Sequence, residues 1–210
     1  MTSEEPKDLF NRIAKIIAIA FHPLLMPLYG MFIIFVSPTL LGYLPFNIMK
    51  LLFLIILVNN VLLPVSLLPF FMHRHIISSY SINERKERNV PLIIATILYG
   101  TTSYIIFKFP IPLFLKSFIF STAILSLIVT VINFRWKISL HSVGSGALIA
   151  LVIILSVKML TPLQWYLIAV FIAAGLTLSS RLKLNIHNPL QVWVGFLTGF
   201  IGLTLFMTIL

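Results

Sequence analysis

The sequence predicts an all-α fold: a polytopic transmembrane helical bundle of six or seven spans. Three observations predict it. Of 210 residues, 60% are apolar and only 10% charged, and mean hydropathy is +1.08; a soluble domain of this size has too much surface to hide so much apolar side chain. Apolar runs near the ~20 residues that cross a bilayer core recur along the chain. The breaks between runs carry the chemistry of helix starts. The whole chain, 1–210, therefore reads as a single integral membrane domain, with no room for a separate soluble one.

Residues 1–22 read as an interfacial N-terminal segment. They are polar at first; then Phe10, Ile13, Ile16, Ile17 and Phe21 recur at helical spacing with Arg12 and Lys15 between them, the pattern of a helix lying in the membrane interface. Glu4, Glu5 and Asp8 precede the first basic cluster, which is unlike a cleaved signal peptide. Apolar runs follow at about 24–42, 51–72, 91–108, 113–134, 139–160, 162–180 and 190–210. Pro23, Pro27, Pro64 and Pro69 interrupt the first two; the last five are continuous. Asn89-Val90-Pro91 opens the third run, Ser139 the fifth, Thr161-Pro162 the sixth and Asn188-Pro189 the seventh, each a capping side chain with or without a Pro in the first turn.

Three polar spots separate these runs: His73 through Arg88, Arg135 through His141, and Ser179 through Asn188. Two spans lie between the first and second spots, and two between the second and third. All three therefore share one face of the membrane. Each also precedes a span that begins there, so three helix N-termini, with unpaired N–H groups and partial positive charge, converge on it. Arg85, Lys86, Arg88, Arg135, Lys137, Arg181 and Lys183 add formal charge. Such a face is an anion site at the membrane surface, and phosphate is its natural guest.

Charge composition narrows the chemistry. There are 15 Lys and Arg against five acids, and none of the acids lies beyond Glu87. Mg²⁺-dependent prenyl and alcohol phosphotransferases need clustered Asp as hard oxygen ligands, and proton-coupled transporters usually carry an intramembrane acid. Neither pattern exists here. Cysteine is absent, which excludes thiolate catalysis and Cys-ligated metal. No metal or cofactor is expected. Membrane lipids are the expected partners, and nucleic acid is not.

Two histidines, His141 and His187, sit at the second and third spots. Ser180-Arg181 is followed after five residues by His187; Ser139-Leu140-His141 lies upstream, and Arg88-Asn89-Val90-Pro91 before that. In order and spacing, residues 80–205 resemble the core of the type 2 phosphatidic acid phosphatase and vanadium haloperoxidase superfamily. The resemblance implies a metal-independent lipid-phosphate phosphatase. His187 would be the nucleophile, forming a phosphohistidine. His141 would protonate the leaving alcohol. Arg181, Arg88 and Ser139, with Arg85 or Lys86 in place of a Lys, would bind phosphate. It further implies an extracytoplasmic active site in the cell membrane. The departures are specific. Leu140 and Ile138 stand where the family has Gly and Pro, two residues separate Arg88 from Pro91, and Ser81 occupies the Lys position. Gln191 replaces the Asp four residues after His187. It can accept a ring proton and keep the tautomer but supplies no charge; in serine proteases the analogous amide substitution costs ~10⁴ in rate.

Other readings compete at the same residues. Asn188 and Gln191 also form a capping box for the last span, equally weighted with orientation of His187. Ser142 and Gly144 through Ala147 suit close helix packing. His22, His73 and His75 read as structural, and Trp136, Trp165 and Trp193 as interfacial or packing aromatics. The chain could also be a catalytically impaired relative that binds or moves lipid phosphates, or a structural membrane protein whose basic face meets anionic headgroups. With seven spans, the basic face carries 11 Lys and Arg (Lys7, Arg12, Lys15, Arg74, Arg85, Lys86, Arg88, Arg135, Lys137, Arg181, Lys183) and the other four (Lys50, Lys108, Lys116, Lys158). The positive-inside rule would place the first in the cytoplasm, but seven of the 11 belong to the anion site, and the remainder balance four against four.

Overall fold

A computed structural model describes residues 6–82 and 84–209, with residues 6–8 through their backbone alone. Glu4, Glu5 and the side chains of Lys7 and Asp8 lie outside the described residues. Among those described, the chain forms α-helices and no strand, and seven helical stretches are long and apolar enough to cross a membrane. This is an integral membrane helical bundle.

In chain order the α-helices are α1 (Pro6–Ala20), α2 (Met26–Val36), α3 (Phe46–Ile56), α4 (Leu63–Ser66), α5 (Leu68–His73), α6 (Asn89–Phe107), α7 (Leu113–Arg135), α8 (Leu140–Lys158), α9 (Gln164–Lys183) and α10 (Pro189–Ile209). The last five match the continuous apolar runs. The first two runs are remodelled by their prolines. His22-Pro23 breaks the stretch Leu9–Val36 into α1, a 3₁₀ turn and α2. Phe46–His73 is one span-length stretch in which a π-helical segment, Leu57–Leu62, joins α3 to α4. Pro64 has no N–H to donate back into the helix, and the wider π turn accommodates it. The buried Asn60 side chain there accepts a hydrogen bond from the Thr102 hydroxyl at 2.7 Å, tying this span to α6.

Start signals acted unevenly. Ser139 caps α8, its hydroxyl accepting from the Ser142 N–H at 3.4 Å. Asn188 caps α10: its side chain accepts from Gln191 N–H at 2.8 Å, and the Gln191 Oε1 accepts from Asn188 N–H at 3.3 Å. Asn89 does not cap α6, because a 3₁₀ turn, Lys86–Arg88, precedes it; its Oδ1 accepts instead from Asn133 Nδ2 at 2.9 Å. Thr161 does not cap α9, which starts at Gln164 after Leu163.

Central to the bundle is α8, which packs closely on α10 through glycines. A Cβ at Gly146 would lie 2.1 Å from the Phe196 carbonyl oxygen, and one at Gly199 would lie 1.9 Å from that of Val143. Close approach without interdigitating side chains is the usual helix contact in lipid, where dispersion and weak polar contacts replace the hydrophobic effect. Apolar residues such as Ile97, Phe171, Ile172, Trp193 and Ile201 stay exposed on the outside, where lipid would cover them.

Contacts at the helix ends order the two faces. On the face opposite the basic one, the Tyr166 hydroxyl donates to the Val36 carbonyl at 2.8 Å, and Lys158 Nζ to that of Met207 at 2.5 Å. On the basic face, Lys183 Nζ stands 5.8 Å from the Phe10 ring centroid, and the His141 ring meets the Ala18 carbonyl. Both ends of α1 thus touch the basic face, so α1 lies along it, leaving Leu9, Phe10, Ile13, Ile16 and Ile19 exposed.

Candidate active site

The basic face opens into a cavity of about 260 Å³. His22, Arg88, His141, Arg181 and His187 line its polar end. Below them it continues between the spans, lined by Phe71, Tyr99, Phe118, Leu125 and Leu148. A cationic mouth over an apolar interior is the shape of a site for an amphiphile with an anionic head.

Arg88 enters from the 3₁₀ turn before α6 and is 7% exposed. Its Nε donates to the Ile82 carbonyl at 2.8 Å and its Nη1 to that of Ile138 at 3.5 Å. Ile82 has φ 42°, a left-handed conformation that a β-branched side chain resists; the Arg88 bond captures its carbonyl. Arg181 comes from the last turn of α9 and is 6% exposed. Its Nε is buried with no hydrogen-bond partner among the described residues. No carboxylate lines the cavity among the described residues. Two enclosed guanidiniums that repel one another are costly; the Glu84 carboxylate draws on Arg88 from outside the cavity lining, and an anion bound inside would relieve both.

His187 arrives through a turn dictated by Asn185. That residue sits at φ 53° just past the end of α9, the left-handed position where Asn is tolerated. The chain then reverses into α10. The buried His187 ring donates from Nδ1 to Gln191 Oε1 at 3.1 Å; the amide oxygen can only accept, so the ring proton is on Nδ1 and Nε2 keeps its lone pair. The same Oε1 accepts the Asn188 N–H. The two readings of Gln191, helix cap and His orienter, are therefore one arrangement. Burial first, then the positive charge of Arg88, push His187 down to about 3 against a weaker upward pull from Gln191; Arg181 and Lys137 add to the lowering. Lys137 is also shifted down, by burial and then by Arg88.

The second spot is locked to the third: Ser139 N–H donates to the Gln191 carbonyl at 3.3 Å. His141, on the first turn of α8, donates from Nε2 to the Ala18 carbonyl at 3.0 Å, leaving Nδ1 as its free ring nitrogen.

The remaining predicted site residues lie outside the cavity. Ser139 is wholly buried, its Oγ occupied by the Ser142 N–H and, at 2.8 Å, by the Ser142 hydroxyl. Arg85 donates to the carbonyls of Asn133 and Phe134 at the end of α7, an ordinary way to satisfy orphan C=O groups. Lys86 is exposed. In exchange the cavity gains His22, which sequence reasoning set aside as structural. Its ring packs edge-on against His141, with centroids 5.7 Å apart. The one available signal was a His-Pro pair at a break between helices; the 119 residues separating it from its ring partner hid the rest. Among the described residues no group of three or more His, Cys, Asp or Glu is placed to hold a metal ion.

The chain matches no protein-family model, no curated protein and no solved structure.

Proposed function

We propose that this protein is a metal-independent lipid-phosphate phosphatase, hydrolysing a phosphomonoester or diphosphate on a membrane lipid through a phosphohistidine. One observation carries the reading: the unprotonated Nε2 of His187 shares a cavity with two buried guanidiniums, and no carboxylate lines that cavity among the described residues. Arg88 and Arg181 bind the phosphoryl oxygens, and their planar forks suit phosphate. His187 Nε2 attacks phosphorus; the N–P bond forms as the P–O bond to the lipid breaks. His141 takes up a second proton, on Nδ1, as the phosphate anion binds beside it, and passes that proton to the leaving oxygen, while its Nε2–H stays on the Ala18 carbonyl. Water then attacks the phosphohistidine, giving its proton back to His141. The apolar end of the cavity supports a lipid rather than a soluble ester.

Purified protein should release phosphate, without added metal, from phosphatidic acid, phosphatidylglycerol phosphate or a polyprenyl diphosphate. His187→Ala should lower that release by at least ~10³-fold, since the covalent route is lost. Activity that survives this substitution would overturn the mechanism.

A second reading rests on Gln191, whose neutral amide supplies no charge to a developing imidazolium: the chain binds or moves lipid phosphates without turning them over. It predicts saturable binding of these lipids with no phosphate released by the wild-type protein.

A further inference from the structure

We propose that His22, at the break between α1 and α2, is a third side-chain donor to the anion held by Arg88 and Arg181. The inference rests on the functional reading above, since it concerns the same anion. His22 lines the cavity beside Arg88, Arg181, His141 and His187. Its Nδ1 accepts a hydrogen bond from the Leu24 N–H at 3.3 Å. A backbone N–H can only donate, so Nδ1 carries the lone pair and the ring proton sits on Nε2. That N–H has no hydrogen bond to a described residue, and it lies on the ring edge farther from the backbone; the residue is exposed where it lines the cavity. The neighbouring ring of His141 has given its own Nε2–H to Ala18, and the charge acting on His22 is that of Arg181.

Backbone geometry fixes this placement. Pro23 forces the chain out of α1, and His22 turns with φ −64° and ψ 139° as the cap of the following 3₁₀ turn. The cap bond holds the imidazole in one orientation and one tautomer. At the same point, the Ala18–His141 bond ties the end of α1 to α8. The N-terminal segment therefore brings both a carbonyl for His141 and a donor for the anion into a site whose other residues come from positions 80–205. A hydrogen bond from this donor to a phosphate oxygen is charge-assisted, and such bonds are roughly twice as strong as neutral ones.

Two substitutions separate the donor from the cap. His22→Asn keeps an acceptor near the position of Nδ1, so it caps the turn, but it has no donor that reaches as far as Nε2. His22→Gln places an amide N–H near the position of Nε2 and loses the short-range cap. The probe is inorganic phosphate, titrated into detergent-solubilised full-length protein and followed calorimetrically, with KM and kcat for phosphate release measured in parallel. Wild type should bind phosphate. His22→Asn should weaken binding about ten-fold or more and raise KM, and His22→Gln should bind within about three-fold of wild type while melting at a lower temperature. Phosphate affinity unchanged in His22→Asn, or lost in His22→Gln to the same extent as in His22→Ala, would overturn the assignment while leaving the phosphatase reading intact. Wild-type protein that neither binds phosphate nor releases it from any lipid would overturn that reading, and this inference with it.

Discussion

His187 is held neutral by its surroundings, and that has a cost that grows in acid. The ordinary value is 6.5, and the folded value is about 3. Between these limits the unfolded chain takes up a proton at this position and the folded chain does not. The stability involved is therefore complete above about pH 6.5 and is lost as pH falls toward about 3, at a rate of at most about 1.4 kcal/mol per pH unit. Melting curves of wild type and His187→Gln across this range should diverge, with the wild type falling more steeply as the medium is acidified. Parallel curves would mean that His187 is not kept neutral by the fold. The Gln191 amide beside it sets the tautomer but contributes no charge. Replacement by Asp should raise the His187 value and stabilise the imidazolium formed in attack, so Gln191→Asp should increase kcat by about ten-fold or more. An unchanged kcat would show that the ring needs only the hydrogen bond, and that the cap at Asn188 is the main duty of Gln191.

At the scale of helices, the register between α8 and α10 decides whether the second and third polar spots meet. Ser139 N–H reaches the Gln191 carbonyl only because backbone lies against backbone at Gly146 and Gly199. Gly199→Ala would put a Cβ on the Val143 carbonyl, an atom that cannot swing aside, so the helices must part. A loss of about 1–3 kcal/mol or more is expected, together with loss of phosphate release, because His187 and Gln191 ride on the start of α10. Gly100→Ala and Gly175→Ala are the controls: nothing lies within 4 Å of either new methyl, and each should be neutral or stabilising by up to ~1 kcal/mol. Thermal unfolding in detergent distinguishes the two classes. This scale was also the most legible one in the sequence. Spans α6 to α10 are continuous apolar runs, and Ser139 and Asn188-Pro189 carry cap chemistry that needs no tertiary partner. Asn89 does not cap because the 3₁₀ turn Lys86–Arg88 runs into α6 ahead of it, and its Oδ1 accepts from Asn133, 44 residues away. The cavity's two arginines were legible through the parity of spans, whereas the burial of Ser139, the use of Arg85 on the end of α7 and the turning inward of His22 all depend on contacts between distant segments, which periodicity cannot express.

Over the whole molecule, parity makes a claim that does not depend on any enzymatic activity. If α1 lies along the basic face and every later stretch crosses once, the ends of α7 and α9 share a side, and the turns after α2 and α8 share the other. The chain contains no cysteine, so single introduced thiols report without background. Arg135 and Lys183 are exposed on the basic face, while Tyr43 and Leu160, 83% and 91% exposed, mark the opposite one. In sealed vesicles, a membrane-impermeant maleimide should label Arg135→Cys and Lys183→Cys together, and Tyr43→Cys and Leu160→Cys only after the membrane is opened, or the reverse. A mixed pattern within either pair would break the topology. Which pair labels from outside then decides between two physical forces. Retention of the basic face in the cytoplasm would mean that all 11 of its cations act as topogenic charges. An extracytoplasmic basic face would mean that the guanidiniums enclosed in the cavity, Arg88 and Arg181, are placed by the site they build rather than by the sidedness of the membrane.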